Sequence, residues 1–224
     1  MTYFKLQPKR LAAMVQLCLL APTGTLAASA GVVIDGGTAT SVSMAANGHQ
    51  TVNIAPAISG VSSNTYTQFN VGKAGVDFNN VGINARNIVN QVTSTNPSRI
   101  EGAITVLGPR ANVILADPNG ITVNGGSFVN TGNVALITGQ VSFYDFAPAP
   151  GQIQRNVIIT TNRGSIEIGP DGLSGAMLNL ELIAKGITIN GPVANTFSNP
   201  NAGVRIVAGD SGAEIDGSVS PTVI

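Results

Sequence analysis

The side chains that could do chemistry are few. The 224-residue chain has one histidine, one cysteine, and 11 basic side chains against 11 acidic ones. A Ser-His-Asp relay would need His49 as its base. His49 lies in Asn47-Gly48-His49-Gln50, after a turn dipeptide and with no nucleophile-elbow sequence beside it, so it reads as a turn residue. Asp210, Glu214 and Asp216 are close enough in sequence to suggest calcium, but they lack the glycine and distal glutamate of an EF-hand loop. They read instead as a turn and an outward strand face. A polysaccharide-cleaving cleft would need acids and cations converging on one wall, and here both are thinly spread. No glycine-rich loop opens a helix to cradle a phosphate. No catalytic constellation emerges, and the expectation is a non-enzymatic protein without cofactor or metal.

Composition narrows the classes further. Charged residues make up 10% of the chain, against about 25% in ordinary soluble domains. A net charge of zero offers no basic field for nucleic acid. A hydrophobic content of 43% excludes a disordered tail. The shortage of Glu, Lys and Arg argues against a helical bundle, whereas 27 glycines and 22 asparagines favour a turn-rich β protein.

Residues 1–30 are of a different kind. Lys5, Lys9 and Arg10 precede the apolar run Leu11–Ala21, and Ala28-Ser29-Ala30 follows as a small-residue cleavage site. This is the layout of a secretory signal peptide. The apolar run is about half the roughly 20 residues that a membrane-spanning helix needs. Cleavage removes Cys18 and three cations but no acids, leaving 8 basic and 11 acidic side chains. The mature chain then carries a net charge of −3 and cannot form a disulfide.

Elements able to position side chains appear as short strands. Asn112-Val113-Ile114-Leu115 leads to Gly120-Ile121-Thr122-Val123-Asn124-Gly125, and Asn156-Val157-Ile158-Ile159 leads to Gly164-Ser165-Ile166-Glu167-Ile168-Gly169. Asn179-Leu180-Glu181-Leu182 and Val204-Arg205-Ile206-Val207 lead in the same way to glycine-led strands at 186 and 212. The spacings are 44, 22 and 26, which predicts a unit near 22 residues with two units inside the 44. Alternating side chains place apolar groups on one face. Gly and Asn tolerate the backbone of sharp corners. Such a unit cannot bury its apolar face alone, and stacked copies can. The fold expected is all-β, a parallel β-helix. An amino-terminal β cap over 31–75 would cover its first edge, with coils over 76–224. Pro221-Thr222-Val223-Ile224 follows a repeat with no polar cap, so a longer product is expected, a truncated remnant being the other possibility.

One ordered series of segments is more specific. It runs from Asn47-Gly48 through Val52-Asn53-Ile54-Ala55-Pro56 and Ser59-Gly60-Val61-Ser62 to Asn64-x-Tyr66-x-x-Phe69-Asn70-Val71. Gly75-Val76-x-Phe78-Asn79-Asn80, Ile88-Val89-Asn90-Gln91-Val92, Asn96-Pro97-Ser98 and Arg110–Ile121 follow in turn. The series resembles the haemagglutination-activity, or two-partner-secretion, domain of filamentous-haemagglutinin-type exoproteins. The resemblance implies a right-handed parallel β-helix with an amino-terminal cap, recognised in the periplasm by an outer-membrane barrel transporter that carries periplasmic transport-associated domains. It implies a secreted or cell-surface product of a Gram-negative bacterium, exported after signal-peptide cleavage. A host cell surface or glycans would be partners of the full adhesin-like exoprotein, with no nucleic-acid partner. The family's Asn-Pro-Asn-Gly turn reads Asp117-Pro118-Asn119-Gly120 here, and its Asn-Pro-Asn-Leu signature is absent. The resemblance gives Asn64, Tyr66, Phe69, Asn70 and Asn90, with Asp117, Pro118, Asn119 and Gly120, two open roles: structural packing and turns, or transporter recognition. The alternative function is a free-standing carbohydrate-binding or carbohydrate-cleaving β-helix protein.

Overall fold

A computed structural model describes residues 31–198 and 200–217. The signal-peptide assignment and the closing Pro221–Ile224 lie outside the described residues. Every regular element described is a strand.

The chain opens with β1 (Val32–Ile34) and β2 (Ser41–Met44), then winds into coils with three faces, here called A, B and C. On face B lie β3 (Gln50–Asn53), β5 (Val76–Asn79), β8 (Ala103–Leu107), β11 (Gly126–Val129), β16 (Leu173–Gly175) and β19 (Val193–Asn195). The long β4 (Val61–Val71) bends from face A, where it pairs with β6 (Asn87–Val92), to face C, where it pairs with β7 (Ser98–Ile100). Face A continues through β9 (Ala111–Ala116), β12 (Thr131–Ile137), β17 (Asn179–Ala184) and β20 (Gly203–Ala208). Face C continues through β10 (Ile121–Val123), β15 (Ser165–Ile168) and β18 (Gly186–Ile189). All these pairings are parallel, so the expected β-helix is the fold.

Two departures from the sequence-based expectation concern its edges. Antiparallel strand pairing at the amino end consists of β1 on β4 and β2 on β3, with one isolated antiparallel bridge between Ile58 and Val61. Parallel stacking already begins with β3 on β5 and β4 on β6, ahead of residue 76, so the cap is narrower than 31–75. The 44-residue spacing holds one coil, not two. Between β12 and β15 the chain leaves the solenoid as the hairpin β13 (Gln140–Phe146) and β14 (Gln154–Thr161). The strand read as part of a fourth repeat, β21 (Ser211–Ile215), joins that hairpin antiparallel to β14.

Period-2 alternation produces two cores. Inward residues such as Ile88, Val113, Leu136, Leu182, Ile121 and Ile166 fill the solenoid interior with Phe69, Phe78 and Phe128. Each such side chain contributes on the order of 1.5–3 kcal/mol of transfer free energy. Outward residues of face A, among them Val89, Ile114, Ile137 and Ile183, are also apolar. Val157 and Ile159 of the β13–β14–β21 sheet cover them.

Candidate functional site

The residues singled out from the sequence fall into two groups, both inside the first coils. Asn64 and Asn90 are register partners on adjacent face A strands, each with no exposed surface. In the following coils the same row continues with Leu115, to which Asn90 pairs, then Leu136 and Leu182. Two buried amides therefore stand where later coils place leucine.

A buried amide costs free energy unless its donors and acceptor are used. Asn64 Oδ1 accepts from the Thr40 hydroxyl at 2.8 Å and the Ala55 amide at 2.9 Å. Its Nδ2 donates to the Val89 carbonyl of the next coil at 3.1 Å. Asn90 Oδ1 accepts from the Tyr66 hydroxyl at 2.9 Å, and its Nδ2 donates to the Ile114 carbonyl at 3.3 Å. Each amide thus ties its own coil to the next, and Asn64 also ties the segment after β1 to β4. Burial holds the Tyr66 phenol well above its ordinary pKa, so it stays a neutral donor. Tyr66 packs edge-on against Phe69 at 5.2 Å, and Phe69 stacks on Phe78 at 6.1 Å. Asn70 Oδ1 accepts the Arg99 amide at 2.9 Å at the corner into face C.

The second group is the corner Asp117-Pro118-Asn119-Gly120. The Gly120 amide donates to the Asp117 carbonyl at 3.2 Å and closes a turn. The Asp117 side chain is fully buried. Its Oδ2 accepts from the Ser98 hydroxyl at 2.7 Å, and its Oδ1 accepts from the Asn119 amide at 2.9 Å and the Asn119 side chain at 3.0 Å. Desolvation dominates and raises the Asp117 pKa, although these donors oppose it. Asn119 Nδ2 also reaches back to the Ser94 carbonyl at 2.8 Å, as Asn96 Nδ2 reaches the Thr67 carbonyl at 3.1 Å one coil earlier. Gly120 has φ +129°, and a Cβ there would meet the Ser165 carbonyl oxygen at 3.2 Å. The Asp117–Gly120 turn forms a corner stacked between coils, and Asp is accommodated because three donors face it.

Sequence reasoning missed several partners. Asp35 Oδ1 accepts from Thr65 and from the Gly37 amide, and its Oδ2 accepts from Thr93, linking the segment after β1 to two coils. Burial opposes ionisation of Asp35, but these donors together outweigh it and lower its pKa. An asparagine ladder along face A was equally hidden. Asn112 donates to Asn87 at 2.8 Å, the Asn133 amide to Asn112 at 2.8 Å, and Asn179 to Asn133 at 3.1 Å. Asn112 stood before an apolar run in the sequence, whereas no sequence signal singled out Asn87 or Asp35.

The suspected calcium acids diverge. Asp210 pairs with Lys185 at 2.6 Å, Glu214 accepts from Asn156 at 2.6 Å, and Asp216 accepts from Gln154 at 2.6 Å. A cavity of about 350 Å³ between β21 and face A is lined in part by Glu181, Arg205 and Glu214. Arg205 faces Glu181 at 3.7 Å.

This solenoid, with its covered face A and antiparallel amino end, matches a solved structure. The crystal structure of the filamentous hemagglutinin secretion domain aligns with a TM-score of 0.71 at 32% identity, over 83% of this chain and 65% of that one. The family model for the TPS secretion domain matches residues 30–222. The chain belongs to the TPS secretion domain family. Its relatives include the 16S rRNA endonuclease CdiA of Enterobacter cloacae, 35% identical over 90% of this chain, and the filamentous hemagglutinin of Bordetella pertussis, 35% identical over 70%. This chain spans 6% and 5% of those two proteins. A TPS secretion domain is a secretion module, and it works with a cognate transporter to bring Gram-negative exoproteins to the surface or medium.

Proposed function

We propose that this domain directs export of a larger adhesin-like exoprotein through a cognate outer-membrane barrel, and that the transporter reads the chain before it folds. The periplasmic route after cleavage near Ala30, and binding through the barrel's periplasmic transport-associated domains, are part of this reading. One observation carries it. Of the nine residues singled out for recognition or turns, all but Asn119 are buried in the folded domain, and Asn119 is half-buried. A buried side chain cannot meet a partner, whereas the same side chain in an extended chain can. An extended segment also offers its backbone for added strands. Once outside, coils stack in order and each lowers the free energy of the growing solenoid. The domain itself performs no catalysis in this reading.

The test is export of residues 1–224, fused to a reporter, from cells with and without the cognate barrel. Export only with the barrel is expected, and equal export without it overturns the proposal. Asn119→Ile should abolish export. A β-branched residue lacks the amide that bonds Asp117 and Ser94, so the corner fails.

A further inference from the structure

The only histidine sits where the antiparallel hairpin β2–β3 meets the first coils. Its two ring nitrogens both face acceptors. Nδ1 lies 2.7 Å from the Ala74 carbonyl oxygen, and Nε2 lies 3.0 Å from Asp77 Oδ2. A neutral imidazole carries one N–H and can satisfy only one of these contacts, whereas an imidazolium donates to both. The arrangement therefore selects the protonated ring.

We propose that His49 is a proton-operated latch that fastens the β2–β3 turn to the turn entering β5. Ala74 belongs to the turn before β5 and Asp77 to β5 itself, so the two bonds bridge from the hairpin to the neighbouring coil. The Gln50 amide completes the seam by donating to the Gly75 carbonyl at 3.2 Å. The hairpin turn closes on itself through Ala45 and His49 at 2.8 Å and contributes no charged group. From β5 the facing charge is Asp77. Its register partners, Thr51 on β3 and Thr105 on β8, do not titrate. Lys73, in the turn before β5, forms no ion pair among the described residues. The Ala74 carbonyl first, and the Asp77 carboxylate second, raise the His49 pKa against a smaller opposing effect of burial. A raised folded-state value means that the latch contributes fully below the unfolded-chain pKa and is lost as pH rises through the folded one. Proton loss leaves one acceptor without its donor and loosens the hairpin seam.

A single imidazole makes the test direct. The ring resonances of residues 31–224 are followed by NMR against pH, together with protection factors of the Ala45 and Gln50 amides referred to the unfolded chain. The imidazole midpoint should lie above that of the urea-unfolded chain, and protection at Gln50 should fall through the same midpoint. Asp77→Asn should lower the midpoint, and His49→Gln should make Gln50 protection independent of pH. Both side chains are half-buried on the outer side of the coil and lie outside the solenoid interior. A midpoint at or below that of the unfolded chain, or Gln50 protection that does not follow the imidazole titration, overturns the proposal.

Discussion

The coils and the sheet that lies across them consist of strands with the same alternation, yet they close over different distances along the chain. The coil ladders join residues roughly one turn apart. Asn64 reaches Val89 across 25 residues, and Asn119 reaches Ser94 across 25. The outer sheet joins Asn156 to Glu214 across 58 residues, and the Arg86 guanidinium to the Gly217 carbonyl across 131. Loop-closure entropy grows with separation, so long contacts form after short ones. Coils can therefore add in order as a chain emerges, while the β21 part of the cover over face A waits for residues near 217. Until then only the β13–β14 hairpin, through Val157 and Ile159, covers Val89, Ile114 and Ile183. For an exported chain this separates a part that forms progressively from a part that locks it.

The largest expected effect comes from the template coil. Phe69→Ala removes a ring packed between Tyr66 and Phe78, and about 3–5 kcal/mol of stability should be lost in denaturant unfolding. Coils and outer sheet should melt together, because both rest on β4. Asn90→Ala orphans the buried Tyr66 hydroxyl and removes a donor to the Ile114 carbonyl, and about 1–3 kcal/mol should be lost by the same measurement. Arg86→Ala acts on the other region. It removes the guanidinium bonds to Ser59 and Gly217, at about 1–2 kcal/mol. Hydrogen exchange should show lost protection in β14 and β21 with the interior of β9 and β12 retained. Simultaneous loss in both would erase the distinction between the two regions.

Two aspartates sharpen the comparison through pH. Asp35 has a lowered folded-state pKa, so its contribution is present above the unfolded-chain value and lost as pH falls through the folded one. Asp35→Asn should therefore cost stability near neutral pH and little in acid. Asp117 has a raised pKa, so its relative contribution declines as pH rises through the folded value. Asp117→Asn restores the family's residue without burying a charge, and it should raise the melting temperature near neutral pH with a smaller gain in acid. The Lys185–Asp210 pair is largely exposed, and Asp210→Asn should leave stability unchanged within error.

The parallel coils were legible because alternation and corner residues dictate them. Their interruption was not, because a strand in a hairpin has the same period of 2 as a strand in a coil. Asn156-Val157-Ile158-Ile159 and Gly212-Ala213-Glu214-Ile215 look like coil strands, and only Ala147-Pro148-Ala149-Pro150-Gly151 marked a hairpin tip between β13 and β14. The boundary of the cap was blurred for the same reason, since β3 reads alike in either setting. The residues of the candidate site were found through their motif, but their burial was not foreseen. Asn64 and Asn90 occupy inward positions that pattern alone would give to polar outward groups.

The most direct test of recognition before folding is binding of the purified periplasmic region of the cognate transporter to residues 31–224 in two states. One sample is the folded domain, and the other is a Leu136→Asp variant, in which a charge forced into the fully buried solenoid interior keeps the chain unfolded at the same temperature and buffer. Binding by the unfolded chain, and its loss in the folded domain, is the expected result. Equal or tighter binding by the folded domain, weakened by Asn64 or Asn119 substitutions that leave its melting temperature intact, would contradict it.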